Sequence, residues 1–162
     1  LEDPYHFWYI GKSYYDSTLG DYPLGMDHIR EYARRSIFYF GQYLNFKHDY
    51  HNTGRAKEID ELAYFALYAM GDMFKLCGNH EKALDCGMKA EEFAPSRNEH
   101  IVLQAECYKD LSDFDSMKLQ TERLMSPDRK LPFPKFNFLL NMEHYNDSGK
   151  YCEQLHQIAN QT

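Results

Sequence analysis

A chain of 162 residues with 43% hydrophobic side chains and a formal charge of −7 has the size of one ordinary domain and enough apolar material to bury a core, which excludes a disordered segment. The acidic balance argues against a nucleic-acid partner or an anionic membrane surface, because both favour a basic face. No apolar run approaches the about 20 residues that span a bilayer, and the start Leu1-Glu2-Asp3-Pro4 has neither a basic nor an apolar leader region, so the chain reads as soluble and cytoplasmic.

The first element is predicted over Tyr5-His-Phe-Trp-Tyr-Ile-Gly11-Lys-Ser-Tyr14, where bulky residues recur at helical spacing around one glycine. Leu19-Gly20-Asp21-Tyr22 is its turn, and a long second helix follows from about Leu24 to Phe46, with Ile29, Ala33, Ile37, Phe40 and Leu44 on one side. His28, Arg30, Arg34 and Arg35 on that helix are spread around its axis with Glu31 among them, as on an ordinary solvated face. The polar run Lys47 to Glu58 reads as a loop, and Asp60 as the cap of the next helix.

Leu67, Met70, Gly71 and Phe74 carry that third helix to the break at Cys77-Gly78-Asn79. Asn79 is placed to cap a fourth helix with Ala83, Gly87 and Ala90 on one face, ended by Ala94-Pro95. Ser96-Arg-Asn-Glu99 has the form of a capping box, a hydroxyl and a carboxylate each satisfying a free amide at a helix start. The fifth helix carries Ile101, Gln104, Ala105 and Tyr108, turns at Leu111-Ser-Asp-Phe114, and gives way to a sixth through Met117, Thr121 and Leu124. Pro127, Pro132 and Pro134 then predict an extended connector over 127–135, and 136–160 reads as two short closing helices.

These elements give an all-α array of antiparallel helix hairpins in a single domain, with pairs at about 4–47, 60–95 and 97–126. The period of about 34 residues is that of the tetratricopeptide repeat. Gly71, Phe74, Gly78, Ala83, Ala90 and Pro95 match its pattern; one period on stand Ala105, Tyr108, Ser112, Met117, Leu124 and Arg129, so the later unit keeps its first helix and then degrades. Small residues let two helices approach, and the expectation is that a facing aromatic ring fills each slot, with Gly11, Tyr14, Gly71, Phe74, Ala83, Ala90, Pro95, Ala105 and Tyr108 as the packing set.

Asp3-Pro-Tyr-His-Phe-Trp-Tyr-Ile-Gly-Lys-Ser-Tyr-Tyr-Asp16, then Ala33-Arg-Arg35, Asp60-Glu-Leu-Ala-Tyr-Phe-Ala-Leu67, Ala90-Glu-Glu-Phe-Ala-Pro-Ser-Arg-Asn-Glu99 and Pro132-Phe-Pro134 resemble, in order, the helical-repeat tail that follows the catalytic domain in family-2, GT-A-type glycosyltransferases. The resemblance implies a non-catalytic scaffold that packs on its own catalytic domain and supports dimerisation, with the transferase chemistry elsewhere. The missing initiator Met and the Leu1-Glu2 start fit an excised piece of a longer chain. The alternative is a free-standing tetratricopeptide adaptor that binds a peptide.

Candidate chemistry is sparse, and neither a cofactor nor a metal is expected. Asp113-Phe114-Asp115 has a metal-binding form but lies at a turn, where Asp113 caps a helix and Phe114 packs. His48-x-x-His51 with Asp49 could hold a metal if ordered, but the loop is flexible by composition and no further ligand is evident nearby. Cys77, Cys86, Cys107 and Cys152 have no metal-finger spacing and read as buried free thiols. The better surface is the concave wall built by the first helix of each pair. Its open positions are expected to be Tyr5, Trp8, Lys12 and Tyr15, then Phe65, Tyr68, Asp72 and Lys75, then Glu99, Val102, Glu106 and Lys109, a mixture that suits a peptide or partner helix.

Overall fold

A computed structural model describes residues 3–20, 25–47, 56–126 and residue 129. Six helices occupy them: α1 (Pro4–Leu19), α2 (Met26–Phe46), α3 (Ala56–Leu76), α4 (His80–Phe93), α5 (Glu99–Asp110) and α6 (Phe114–Leu124). Among the described residues there is no strand, and no helix is long and apolar enough to cross a membrane. The loop centre 48–55, the prolines 127, 132 and 134, the connector and the closing helices lie outside the described residues.

Helices pair as α1/α2, α3/α4 and α5/α6, and each hairpin packs on the next through α2 against α3 and α4 against α5. Contact between α1 and α3 and between α3 and α5 places the odd-numbered helices along the inner side of the array.

The turns show how closely the repeat is kept. In the first, the amides of Cys77, Gly78 and Asn79 donate to the carbonyls of Met73, Lys75 and Phe74 at 3.0, 3.0 and 2.8 Å. One period later those of Leu111, Ser112 and Asp113 donate to Cys107, Lys109 and Tyr108 at 3.0, 3.0 and 2.9 Å. The side chain of Asn79 then accepts from the Lys82 amide at 3.1 Å, and that of Asp113 from the Ser116 amide at 3.2 Å, each satisfying one orphan donor of the new helix. Both turns need a left-handed residue. Gly78 supplies it at φ 82° and Ser112 at φ 59°.

Two expected helix starts are displaced. The third helix begins at Ala56 rather than at Asp60, because 57–59 continue the helical register and bury Ile59. Asn98, not Ser96, stands at the start of α5, with no side-chain cap bond. The Glu99 carboxylate instead accepts from the Asn98 amide at 3.2 Å and from Arg97 Nη2 at 2.8 Å.

The notches exist, but their fillers are mixed. Ala83, Ala90 and Ala105 are fully buried. A Cβ on Gly11 would sit 3.0 Å from the Phe40 ring, as the ring-in-slot expectation requires. At Gly71 the occupant is aliphatic: a Cβ there would run into Leu103 Cδ2 and lie 3.3 Å from the Ala83 carbonyl oxygen. Leu103 of α5 joins Ala83 and Cys107 there in one small cluster. Pro95 is exposed, and Phe74 and Tyr108 are half-buried, so these three border the packing rather than fill it.

Candidate interaction surfaces

The inner wall is a set of struts between hairpins. Trp8 and Tyr15, expected on its open side, are only 7% and 8% exposed. The Trp8 indole N–H donates to the Leu62 carbonyl at 3.0 Å, and its ring lies 5.2 Å from Phe65. Phe65 also meets Tyr15, Phe40 and Tyr68 at 5.8, 6.0 and 5.0 Å between centroids, so it is the hub joining α1, α2 and α3. Their burial follows from size: the backbone between hairpins 1 and 2 is held close by Ala33, Ala63, Ala66 and Ala69, and the large rings cover the seam these leave.

Polar groups of the wall are paired with each other. Tyr15 Oη donates to Asp72 Oδ2 at 3.0 Å, Lys12 and Asp16 pair at 2.5 Å, and Lys75 pairs with Glu106. Burial first, and then the Asp72 carboxylate, push the Tyr15 hydroxyl far above its ordinary range. Burial also raises the Asp72 carboxyl, against the pull of Lys75 and the Tyr15 hydrogen bond. For Lys75 burial works against the charge, yet Glu106 overrides it and the ammonium is held above its usual value. Tyr68 remains half-buried, its hydroxyl pushed up to about 12 by burial and then by Glu99 and Asp72. Lys109 is half-buried at the end of α5.

A second network crosses from α3 to α5. Tyr64 Oη donates to Glu99 Oε2 at 3.0 Å and lies 2.9 Å from Nδ1 of His100, while the His100 amide donates to the same Oη at 3.2 Å. His100 is fully buried, and burial followed by the charge of Arg129 brings its imidazole down to about 4. Its Nε2 has no hydrogen-bond partner among the described residues and stands 3.6 Å from Glu91 Oε1. Arg129 closes the turn that follows α4, donating to the carbonyls of Arg97 at 2.8 Å and Pro95 at 3.1 Å. Arg129 stands one period after Pro95, the position where the repeat pattern degrades; its role needed the fold, since the acceptors are main-chain atoms.

The described cysteines at the core are held as thiols. Burial raises the Cys86 and Cys107 thiols to about 11 and 12, keeping both protonated at neutral pH. Asp113 caps α6 as expected, but Phe114 is 40% exposed rather than packed. Among the described residues no group of His, Cys, Asp and Glu could hold a metal ion. His48, Asp49, His51 and Cys152 lie outside the described residues.

A surface not visible in the sequence lies on the outer flank of the first hairpin. Tyr14, named as a packing residue, stacks on Tyr39 at 6.0 Å and meets Tyr32 at 5.7 Å, with the Arg35 guanidinium over its ring at 5.6 Å. Arg35 is held by Glu31 at 3.0 Å. Exposed Ile10 and Phe38, at 39% and 56%, flank these rings. No family model matches the chain, and no curated protein matches it.

Proposed function

We propose that the chain is a non-catalytic helical scaffold that holds another protein body, with the outer flank of α1/α2 as its docking face. The observation that carries this reading is the fate of the inner wall: Trp8, Tyr15, Asp72, Lys75 and Glu106 are engaged in joining hairpins, which leaves little of that wall to grip a peptide. The flank has the opposite character. Tyr14, Tyr32, Tyr39 and Arg35 form a preassembled aromatic and guanidinium patch, the residue types that dominate binding energy at protein interfaces.

The ordered sequence resemblance to the tail of family-2, GT-A-type glycosyltransferases supports a catalytic domain of that kind as the body held, and a second copy of the chain as a further occupant. Co-expression with the domain encoded upstream in the same reading frame tests it. The expected result is a GT-A-type domain that forms a stable complex, weakened about tenfold by Tyr39→Glu, while the isolated chain turns over no nucleotide sugar. Absence of such a domain, or a complex indifferent to Tyr39→Glu, overturns the reading. The adaptor alternative rests on half-buried Tyr68; a peptide array whose binders are lost on Tyr68→Ala would favour it instead.

A further inference from the structure

Between α2 and α4, over α3, lies a trough of about 630 Å³ that is partly open to solvent. Leu44, Leu67, Met70 and Phe74 form its apolar floor. Gly41 sits in the α2 wall, and a Cβ there would meet nothing within 4 Å, so the wall is set back where a side chain would narrow it. The lining of the α4 wall runs from Lys82 to Phe93, about 16 Å of helix at 1.5 Å per residue.

The lining carries one more lysine than carboxylate on a chain whose net charge is −7. Lys47, Lys82 and Lys89 line the trough against Asp85 and Glu92. Asp85 is taken by Lys89 at 2.8 Å. Lys82 has no ion-pair partner among the described residues and stands 5.6 Å over the Phe74 ring. Lys47 is only 6% exposed, its ammonium 4.7 Å over the Phe93 ring and 4.0 Å from Asp60. A buried ammonium gains from a further carboxylate at that end of the trough.

We infer that this trough binds an amphipathic helix of a partner protein, an apolar ridge set on the floor and carboxylates on both flanks meeting Lys47, Lys82 and Lys89. Two helical walls and an apolar floor reproduce the helix-in-groove mode, in which side chains at i, i+3 or i+4, and i+7 act as anchors. An amphipathic helix can leave its polar face in water above so open a trough, whereas an acyl chain has no polar face to expose.

The probe is a labelled peptide of about fifteen residues, roughly one turn longer than the trough, with leucines at helical spacing flanked by glutamates; the control replaces each glutamate by lysine. Fluorescence anisotropy with the full chain should show the acidic peptide binding at least about tenfold tighter than the basic one, with the difference shrinking as salt is added. Gly41→Leu, which narrows the wall without touching the core, and Lys82→Glu should each weaken the acidic peptide about tenfold while leaving the unfolding midpoint of the chain no lower. Failure of the acidic peptide to bind, equal binding of both peptides, or indifference to both substitutions overturns the inference. So does oleate binding in its place, or self-association sensitive to Gly41→Leu, which would assign the trough to a lipid or to a second copy.

Discussion

Ser112 and Gly78 hold the same left-handed position one period apart, at φ 59° and 82°, and only glycine does so without steric cost. Ser112→Gly is expected to raise stability by about 0.5–1 kcal/mol, seen as a higher urea midpoint with an unchanged slope. Two helical glycines should answer alanine with opposite signs. Gly41 has open space around the added methyl, so Gly41→Ala gains about 1 kcal/mol of helix propensity. Gly71 faces Leu103 and the Ala83 carbonyl, so Gly71→Ala loses about 1–3 kcal/mol by overpacking. The repeat pattern made Gly71 legible as a notch; nothing in the local sequence separates a notch from an open wall, and Gly41 went unmarked for that reason.

Between elements, the Tyr64–His100 contact ties α3 to α5 at a fully buried imidazole. The folded protein holds this group neutral down to about 4 against an ordinary value of 6.5. Between those values the unfolded chain carries the extra proton, so stability is complete above about 6.5 and is lost as acid is added across the window. The groups facing the imidazole are Tyr64 of α3, Glu91 of α4, Glu99 at the start of α5 and Arg129. Unfolding midpoints measured from pH 7 to 4 should therefore fall, by roughly 3 kcal/mol in all, and His100→Gln should flatten that limb. Helix existence and the caps Asn79 and Asp113 could be read from spacing and residue type, because they depend on neighbours within one turn. His100 carries no mark in its local sequence, since its burial depends on Tyr64, a whole repeat away.

At the scale of the molecule, the all-helical hairpin array was legible because its period, turns and small residues repeat. Which side chains remain free on the assembled wall was not. Exposure there is decided by how tightly successive hairpins close, and the alanines between α2 and α3 close them enough to draw Trp8 and Tyr15 into the seam. The trough escaped notice for the complementary reason: it is lined jointly by α2, α3 and α4, which only the fold brings together.

The scaffold reading depends on the inner-wall side chains being struts between hairpins, and Tyr15 with Asp72 is a side-chain pair that bridges the first two. A double-mutant cycle of Tyr15→Phe and Asp72→Asn, followed by equilibrium urea unfolding, tests it directly. The account predicts that Tyr15→Phe alone costs about 1–2 kcal/mol, with a coupling to Asp72→Asn of at least about 0.5 kcal/mol in one cooperative transition. Unchanged stability in Tyr15→Phe together with zero coupling would mean that the hydroxyl is free for a ligand, and would contradict the account.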